Sequence, residues 1–466
     1  MAYEFDLIVI GSGPAGQRAA VQASKLGKRV AVCERRKMVG GVCLHTGTMP
    51  SKTFREAVLS LVRPPHAYAE PSEVPRPTME TLTHRVAEVV ERETTIVAKQ
   101  LARNNVHLLD GDSTFIDPHT IAVSDAGTIH SVSGEHILIA CGSRPSDPPE
   151  IKPDGQTILT SDFILSRATL PKSLVVVGGG VIGIEYASMF AELGVEVTLL
   201  DRHERPIEFV DREIVDELIH QMRQKRVVFR LGDGVAKITV VDAPTKHVEI
   251  ELNSGKRLSA ECVLYSVGRV GATAGLGLEN AGLQADDRGR IAVDANYRTA
   301  VGHIYAAGDV IGFPSLASTS SEQGRLAALA MFGVASKPMG AGFPYGIYAI
   351  PEISMVGATE EELSKARIPY EIGVARYSEI ARGQILGDHS GFFKMLFHRE
   401  TRKLLGVHCI GTQATELIHI GQAALILGGG LEYFLETVFN YPTLAECYKV
   451  AAYNAANRLG LTAEQH

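Results

Sequence analysis

SLVVVGGGVIGIEYASMFAELGVEVTLLD, residues 173–201, decides the fold. An apolar run meets three glycines, an apolar helical stretch follows, and a second apolar run closes on an acid, Asp201. Gly178, Gly180 and Gly183 stand where a β-turn-α-β unit needs them. The first makes the tight turn, the second lets backbone approach a pyrophosphate, and the third lets helix and strand pack closely. The phosphate then rests on a helix amino terminus, where unpaired N–H groups and the dipole favour an anion.

Towards the amino terminus the arrangement occurs again. FDLIVI, residues 5–10, runs into GSGPAG, an Ala-rich helix to about Leu26, and a strand, RVAVCE, that ends on Glu34. Gly11, Gly13 and Gly16 repeat the glycine spacing, and Glu34 is placed to accept from a ribose. Gly178 lies 167 residues after Gly11, and Asp201 lies 167 after Glu34. Two units of matching spacing predict two nucleotides held at once. FAD is assigned to one and a nicotinamide nucleotide to the other, because electrons need both a donor and an acceptor. VTLLDRHER carries both coenzyme signals: Asp201 suits the NAD ribose, while Arg202 and Arg205 suit the 2′-phosphate of NADP or are charges of a solvated loop.

Beyond the two turns, residues 64–77 hold five prolines and read as an irregular connection. Apolar spacing predicts a helix from Met79 to Asn105. Gly142, in ACGSRP, ends an apolar run near the first domain boundary, and TAVGHIYAAGD, residues 299–309, is strand-like and ends on Asp309. From about Phe343 onward there is no glycine fingerprint. Strands such as FFKMLFH and LLGVHCI alternate with helices expected over 413–428 and 443–459, and the GGG at 428–430 reads as a helix stop. The expected class is α/β, with two Rossmann-like domains and a carboxyl-terminal α+β domain. The boundaries are 1–150 and 276–342 for the two parts of the FAD domain, 151–275 for the NAD(P) domain and 343–466 for the last.

Composition narrows the function classes. The 466 residues are 45% apolar and 21% charged with a formal net charge of −7, which gives no basic field for nucleic acid. No apolar run approaches the ~20 residues that span a bilayer, so no membrane is expected as a partner. MAYEFDLIVIGSG enters a strand without a basic segment or apolar leader, and a cytoplasmic location is expected. Six scattered cysteines show no CxxC or CxxxxC spacing, the histidines show no HExxH, and no metal is expected.

GGVCLHTGTMPSK, residues 40–52, carries the chemistry. A dithiol-disulfide couple needs sulfurs that come within about 2 Å of one another. Cys43 is followed five residues on by a hydroxyl, Thr48.

GSGPAG with Glu34, GGVCLHTGTMPSK, ACGSRP, GGGVIGIEYA, SVGR and YAAGD follow one another as in the pyridine nucleotide-disulfide oxidoreductases, the family of dihydrolipoamide dehydrogenase and glutathione reductase, which the chain resembles nearly throughout. GTMPSK, IGFPSLAS, GIYAIPEIS, LFHRETRKLLGVHCIG and FNYPTLAE look most like its soluble, Si-specific transhydrogenase branch. In the disulfide-using relatives the position of Thr48 is the second redox cysteine. Their HxHPTxxE, whose second histidine serves the dithiol, is replaced here by FNYPTLAE, with Tyr441 at the histidine and Glu446 kept.

The resemblance implies reversible hydride exchange between NADPH and NAD+ through FAD, at one shared site and in a ping-pong cycle without a disulfide. It also implies that Lys52 lies near the flavin with Glu185 paired to it, and that Asp309 holds the ribityl chain. Gly41, Cys43 and Thr48 would line the cofactor, Cys43 serving as packing. Tyr441 would position the nicotinamide or pack in the core, and Gly268 with Arg269, in SVGR, would lie near an adenosine. A homodimer or larger homo-oligomer would form through the last domain. Two other readings stand beside this one: a flavin-dependent reductase of a quinone or a single-thiol substrate, and a catalytically silent FAD-binding scaffold.

Overall fold

A computed structural model describes residues 3–35, 39–62, 77–146, 152–242, 245–340 and 342–461, in two compact units. The first comprises residues 1–61, 65–169 and 267–339, the second residues 62–64, 170–266 and 340–466. Of the proline-rich stretch, 64–76 lies outside the described residues.

In the first unit the strand Phe5–Ile10 sits inside a seven-stranded sheet. Its parallel neighbours are Val30–Glu34 and Thr128–Ile139, with Leu7 level with Val30 on one side and His136 on the other. His107–Asp110 extends the parallel order beyond Val30–Glu34, and Ile304–Ala306 pairs with the far side of Thr128–Ile139. A parallel strand covered on both faces is apolar along its length, and Leu7, Ile8 and Val9 are fully buried. The helix Met79–Arg103 ends two residues short of the expected limit and opens on a Thr78–Thr81 capping box. The strand Ile304–Ala306 occupies the middle of TAVGHIYAAGD, with Asp309 three residues beyond its end.

The second unit repeats the parallel motif. Ser173–Val177 lies between Glu196–Asp201 and Cys262–Tyr265, with Val228–Leu231 outside Glu196–Asp201. Its carboxyl-terminal part is a five-stranded antiparallel sheet in the order Tyr345–Ile347, Ile353–Gly357, Leu404–Ile410, Phe392–His398, Tyr370–Arg376. The helices Ala414–Ile426 and Glu446–Arg458 fall inside the expected ranges. The first stops at the glycines as expected: Gly428 has φ +72° and Gly429 N–H donates to Ala424 O at 2.7 Å. Ala451, Ala452, Ala455 and Ala456 are fully buried, and Tyr448 stacks on Phe434 with ring centroids 5.3 Å apart. Burying a side chain the size of Phe434 contributes about 1.5–3 kcal/mol.

A buried cation in this unit is met by three carboxylates. Lys394 has a side chain 0% exposed, and its Nζ lies 3.0 Å from Asp211 Oδ1, 2.8 Å from Glu213 Oε2 and 2.9 Å from Glu360 Oε2. Asp211 also caps the helix Arg212–Gln224, accepting from Glu213 N–H at 3.2 Å. Burial raises the Asp211 carboxyl, but His408, once protonated at acidic pH, and Lys394 outweigh it and hold the group below its usual range. His408 is itself fully buried, with Nε2 2.9 Å from Ala358 O and Nδ1 without a hydrogen bond. Among the described residues, no helix is long and apolar enough to cross a membrane.

Candidate functional site

The glycine turn of the first unit is built for an anion. Gly11 adopts φ +101°, and a Cβ on Gly16 would stand 2.0 Å from Gly11 O, so only glycine lets the helix Pro14–Lys25 approach the strand this closely. A Cβ on Gly13 would meet nothing within 4 Å, and no side chain caps the helix start. Unpaired N–H groups therefore face open space, where a pyrophosphate fits. Glu34, 5% exposed, uses one oxygen inside the turn: Oε2 accepts from Ser12 N–H at 2.9 Å and from Ser12 Oγ at 2.5 Å. Ser12 Oγ in turn accepts from Gly40 N–H at 2.9 Å, and Gly41 packs on the turn, its ideal Cβ 3.0 Å from Gly13 Cα.

Beyond that contact, the short helix Gly41–His45 carries Cys43, and Thr48 begins the helix Thr48–Val62. The Thr48 side chain, Asp309 and Lys52 are all close enough to the Cys43 thiol to act on it. Burial pushes the Cys43 thiol up, and Asp309 adds to the rise; Thr48 and Lys52 oppose it without reversing it. Its sulfur is a thiol, not a thiolate. All six cysteines are free, and burial pushes Cys33 and Cys141 up to about 12. Lys52 Nζ donates to Ser51 Oγ at 3.3 Å. Asp309 Oδ2 accepts from Ser143 Oγ at 2.8 Å, and Arg269 donates to Ser143 Oγ and Ser143 O, both at 2.8 Å. The Arg269 guanidinium is thus turned onto Ser143 and, through it, onto Asp309. Gly142 and Gly268, at φ +70° and +131°, flank this contact without meeting an atom a Cβ would strike.

The second unit matches the first atom for atom at its glycines. A Cβ on Gly183 would stand 1.9 Å from Gly178 O, one on Gly180 would meet nothing within 4 Å, and no side chain caps the helix Val181–Glu192. At the end of Glu196–Asp201, Asp201 Oδ2 accepts from Gly179 N–H, and Oδ1 accepts from His203 N–H at 2.8 Å and His203 Nδ1 at 2.7 Å. Arg205 NH1 lies 3.6 Å from Glu361 Oε1, while Arg202 is exposed. Inside the helix, Glu185 Oε1 accepts from Tyr348 N–H at 2.9 Å, which joins it to the GIYAIPEIS segment. Tyr441 is 69% exposed, and Glu446 opens the last helix with Oε2 buried and without a hydrogen bond.

The family is decided by how much of the chain is matched. The model of the pyridine nucleotide-disulphide oxidoreductases matches residues 5–324, and that of the family's dimerisation domain matches 343–452. The chain belongs to the pyridine nucleotide-disulphide oxidoreductases. Within this family it is 51% identical over 461 residues to the soluble pyridine nucleotide transhydrogenase of Mycobacterium tuberculosis, covering 98% of both chains. It is 45% identical over 465 residues to that of Klebsiella pneumoniae, covering 98% of this chain and 99% of the relative. Among solved structures it is similar to the HOCl-induced flavoprotein disulfide reductase RclA from Escherichia coli, with a TM-score of 0.87 at 27% identity over 96% of this chain and 99% of that one. LpdA from Mycobacterium tuberculosis gives the same four values. The family uses FAD with NAD or NADP, and the two open glycine turns fit both dinucleotides.

Residues that sequence reasoning passed over have structural duties here. Ser12 and Ser143 bind the carboxylates of Glu34 and Asp309, and both stand in motifs already read, GSGPAG and ACGSRP. His203 lies in VTLLDRHER beside the residues that were weighed. Glu361 had no signal at all.

Proposed function

We propose that the protein is an FAD-dependent NAD(P)+ transhydrogenase, moving hydride reversibly from NADPH to NAD+ to give NADP+ and NADH, in a ping-pong cycle at one shared nucleotide site. FAD, when bound, supplies the two-electron relay between successive nucleotides. Gly11, Gly13 and Gly16 seat its pyrophosphate, and Glu34 meets its ribose with the oxygen that Ser12 does not use. Gly41, Cys43, Thr48 and Gly142 line it, Asp309 holds the ribityl chain, and Arg269 positions Asp309 through Ser143. Gly178, Gly180 and Gly183 seat the incoming nucleotide, with Asp201, Arg202 and Arg205 around its adenosine ribose and Gly268 nearby. Lys52 and Glu185 are assigned to orienting the reacting ring, and Tyr441 with Glu446 to closing the site from a second subunit.

The observation that carries this reading is the Cys43–Thr48 pair. A protonated thiol faced by a hydroxyl has no second sulfur with which to make or break an S–S bond. The four-part division 1–150, 151–275, 276–342 and 343–466 goes with it, as does a cytoplasmic homodimer. The exposed apolar side chains Leu427, at 84%, and Val438, at 92%, suit burial against a second copy. Initial rates over a grid of NADPH and thio-NAD+ are expected to give parallel double-reciprocal lines. Intersecting lines overturn the shared site, and fast reduction of a quinone or a disulfide beside slow reduction of thio-NAD+ replaces the assignment.

A further inference from the structure

The residues able to tell NAD from NADP are each already met by a polar partner of the protein's own. Asp201 is of the type that takes the 2′-OH of NAD, and Arg205 of the type that takes the 2′-phosphate of NADP. His203 Nδ1 lies 2.7 Å from Asp201 Oδ1, and because a carboxylate only accepts, Nδ1 carries the proton. Glu361 Oε1 lies 3.6 Å from Arg205 NH1, and Arg205 NH2 donates to Glu208 O at 3.2 Å. In both couples the discriminating side chain is the inner one. Asp201 and Arg205 are 9% and 24% exposed, against 47% for His203 and 43% for Glu361. The partner, not the discriminator, is therefore the group that solvent lets move.

We propose that His203 and Glu361 are specificity-determining residues that level the preference of one site between NAD and NADP. His203 donates to Asp201, which draws the carboxylate away from a ribose hydroxyl and turns a donor, not a bare carboxylate oxygen, towards a 2′-phosphate. Glu361 holds Arg205, so a 2′-phosphate binds by displacing a carboxylate. NAD enters with the Arg205–Glu361 couple intact, and NADP enters by exchanging one anion on Arg205 for another. The two partners thus bias the site in opposite directions, which suits an enzyme that must bind and release both nucleotides in every cycle. This rests on the reading of the second glycine turn as the nicotinamide nucleotide site.

The test measures binding to the full-length flavoprotein by calorimetry, with adenosine 2′,5′-bisphosphate and 5′-AMP as probes, and follows the ratio of their affinities. His203→Ala is expected to shift that ratio about 3- to 10-fold towards AMP, and Glu361→Gln about 2- to 5-fold towards the bisphosphate, the sizes set by partly exposed ion pairs. His203→Asn, which keeps a donor for Asp201, is expected to recover most of the first shift. The ratio of kcat/KM for NADPH and NADH as flavin reductants is expected to follow. Shifts of the same sign in the two variants, or a ratio unmoved in either, overturn the proposal while leaving the nucleotide site standing. Failure of the wild-type protein to bind either probe overturns the nucleotide site itself, and the proposal with it.

Discussion

The two glycine turns share their backbone and differ in what their closing acid does. A Cβ on Gly16 or Gly183 would stand 2.0 or 1.9 Å from the carbonyl oxygen of the first glycine of its own turn, and the helix starts at Gly13 and Gly180 are equally open. Glu34, however, is turned inward, tied by one oxygen to the hydroxyl and N–H of Ser12. Asp201 is tied to Gly179 on one side and, on the other, to an exposed histidine that can swing away. Inward hydrogen bonds of a buried carboxylate fix a turn for a ligand that stays; an exposed partner leaves it adjustable for ligands that come and go. On the proposed function, the same local fold serves a resident cofactor in one unit and exchanging substrates in the other.

The harshest way to break this comparison is to fill both turns. Gly16→Ala and Gly183→Ala each drive a Cβ into a backbone oxygen, at a cost of about 1–3 kcal/mol or more. Gly16→Ala is expected to purify with little FAD, read from flavin absorbance. Gly183→Ala is expected to stay yellow yet be reduced by NADPH roughly 10- to 100-fold less efficiently. Loss of flavin from both variants would erase the distinction between the two turns.

The second unit's turn also depends on an anchor, because the loop after Asp201 ends at Asp211, held by Lys394. Lys394→Met leaves the buried Asp211 without its cation, and removing one partner of a buried pair costs about 3–5 kcal/mol. Thermal unfolding of the second unit is expected to fall accordingly, with flavin content in the first unit retained. A smaller effect belongs to His408 in the same network. Burial is the main cause that lowers its pKa from the ordinary 6.5, with Asp211 opposing. The unfolded chain therefore takes up this proton first, and the stability that the neutral ring contributes is present above pH 6.5 and lost as pH falls through that value. His408→Gln, which keeps a donor for Ala358 O, is expected to flatten the loss below about pH 6.5, measured by denaturant midpoint. The smallest effect sharpens the first unit: Cys43→Ser is expected to change transhydrogenation less than about threefold, because a raised thiol with no second sulfur beside it takes no part in S–S exchange.

How much of this could be read from the chain alone follows from how local each contact is. The two βαβ units are written within about 30 residues apiece, so glycine spacing and closing acids placed both turns. Thr48 and Tyr441 were legible as departures from a pattern, and the helices 79–103, 414–426 and 446–458 followed from apolar spacing and glycine stops. FFKMLFH gave its strand but not its buried charge. Lys394 is tolerated there only because Asp211 and Glu213, 183 and 181 residues away in sequence, fold onto it. Glu361 and Arg205 meet for the same non-local reason. Ser12 and Ser143 were hidden in another way, since a serine within a glycine motif reads as filler until the carboxylate it binds has been located.

The hydrogen bond from Gly179 N–H to Asp201 bears on coenzyme engineering. Exchanging an acid at this strand end for a neutral residue is a natural route to an NADP-only protein. Here the exchange would also unfasten the loop that cradles the diphosphate, a part common to both coenzymes. Asp201→Ala should therefore weaken both nucleotides together, and a cleaner switch would leave the carboxylate in place and alter the side chains that face it.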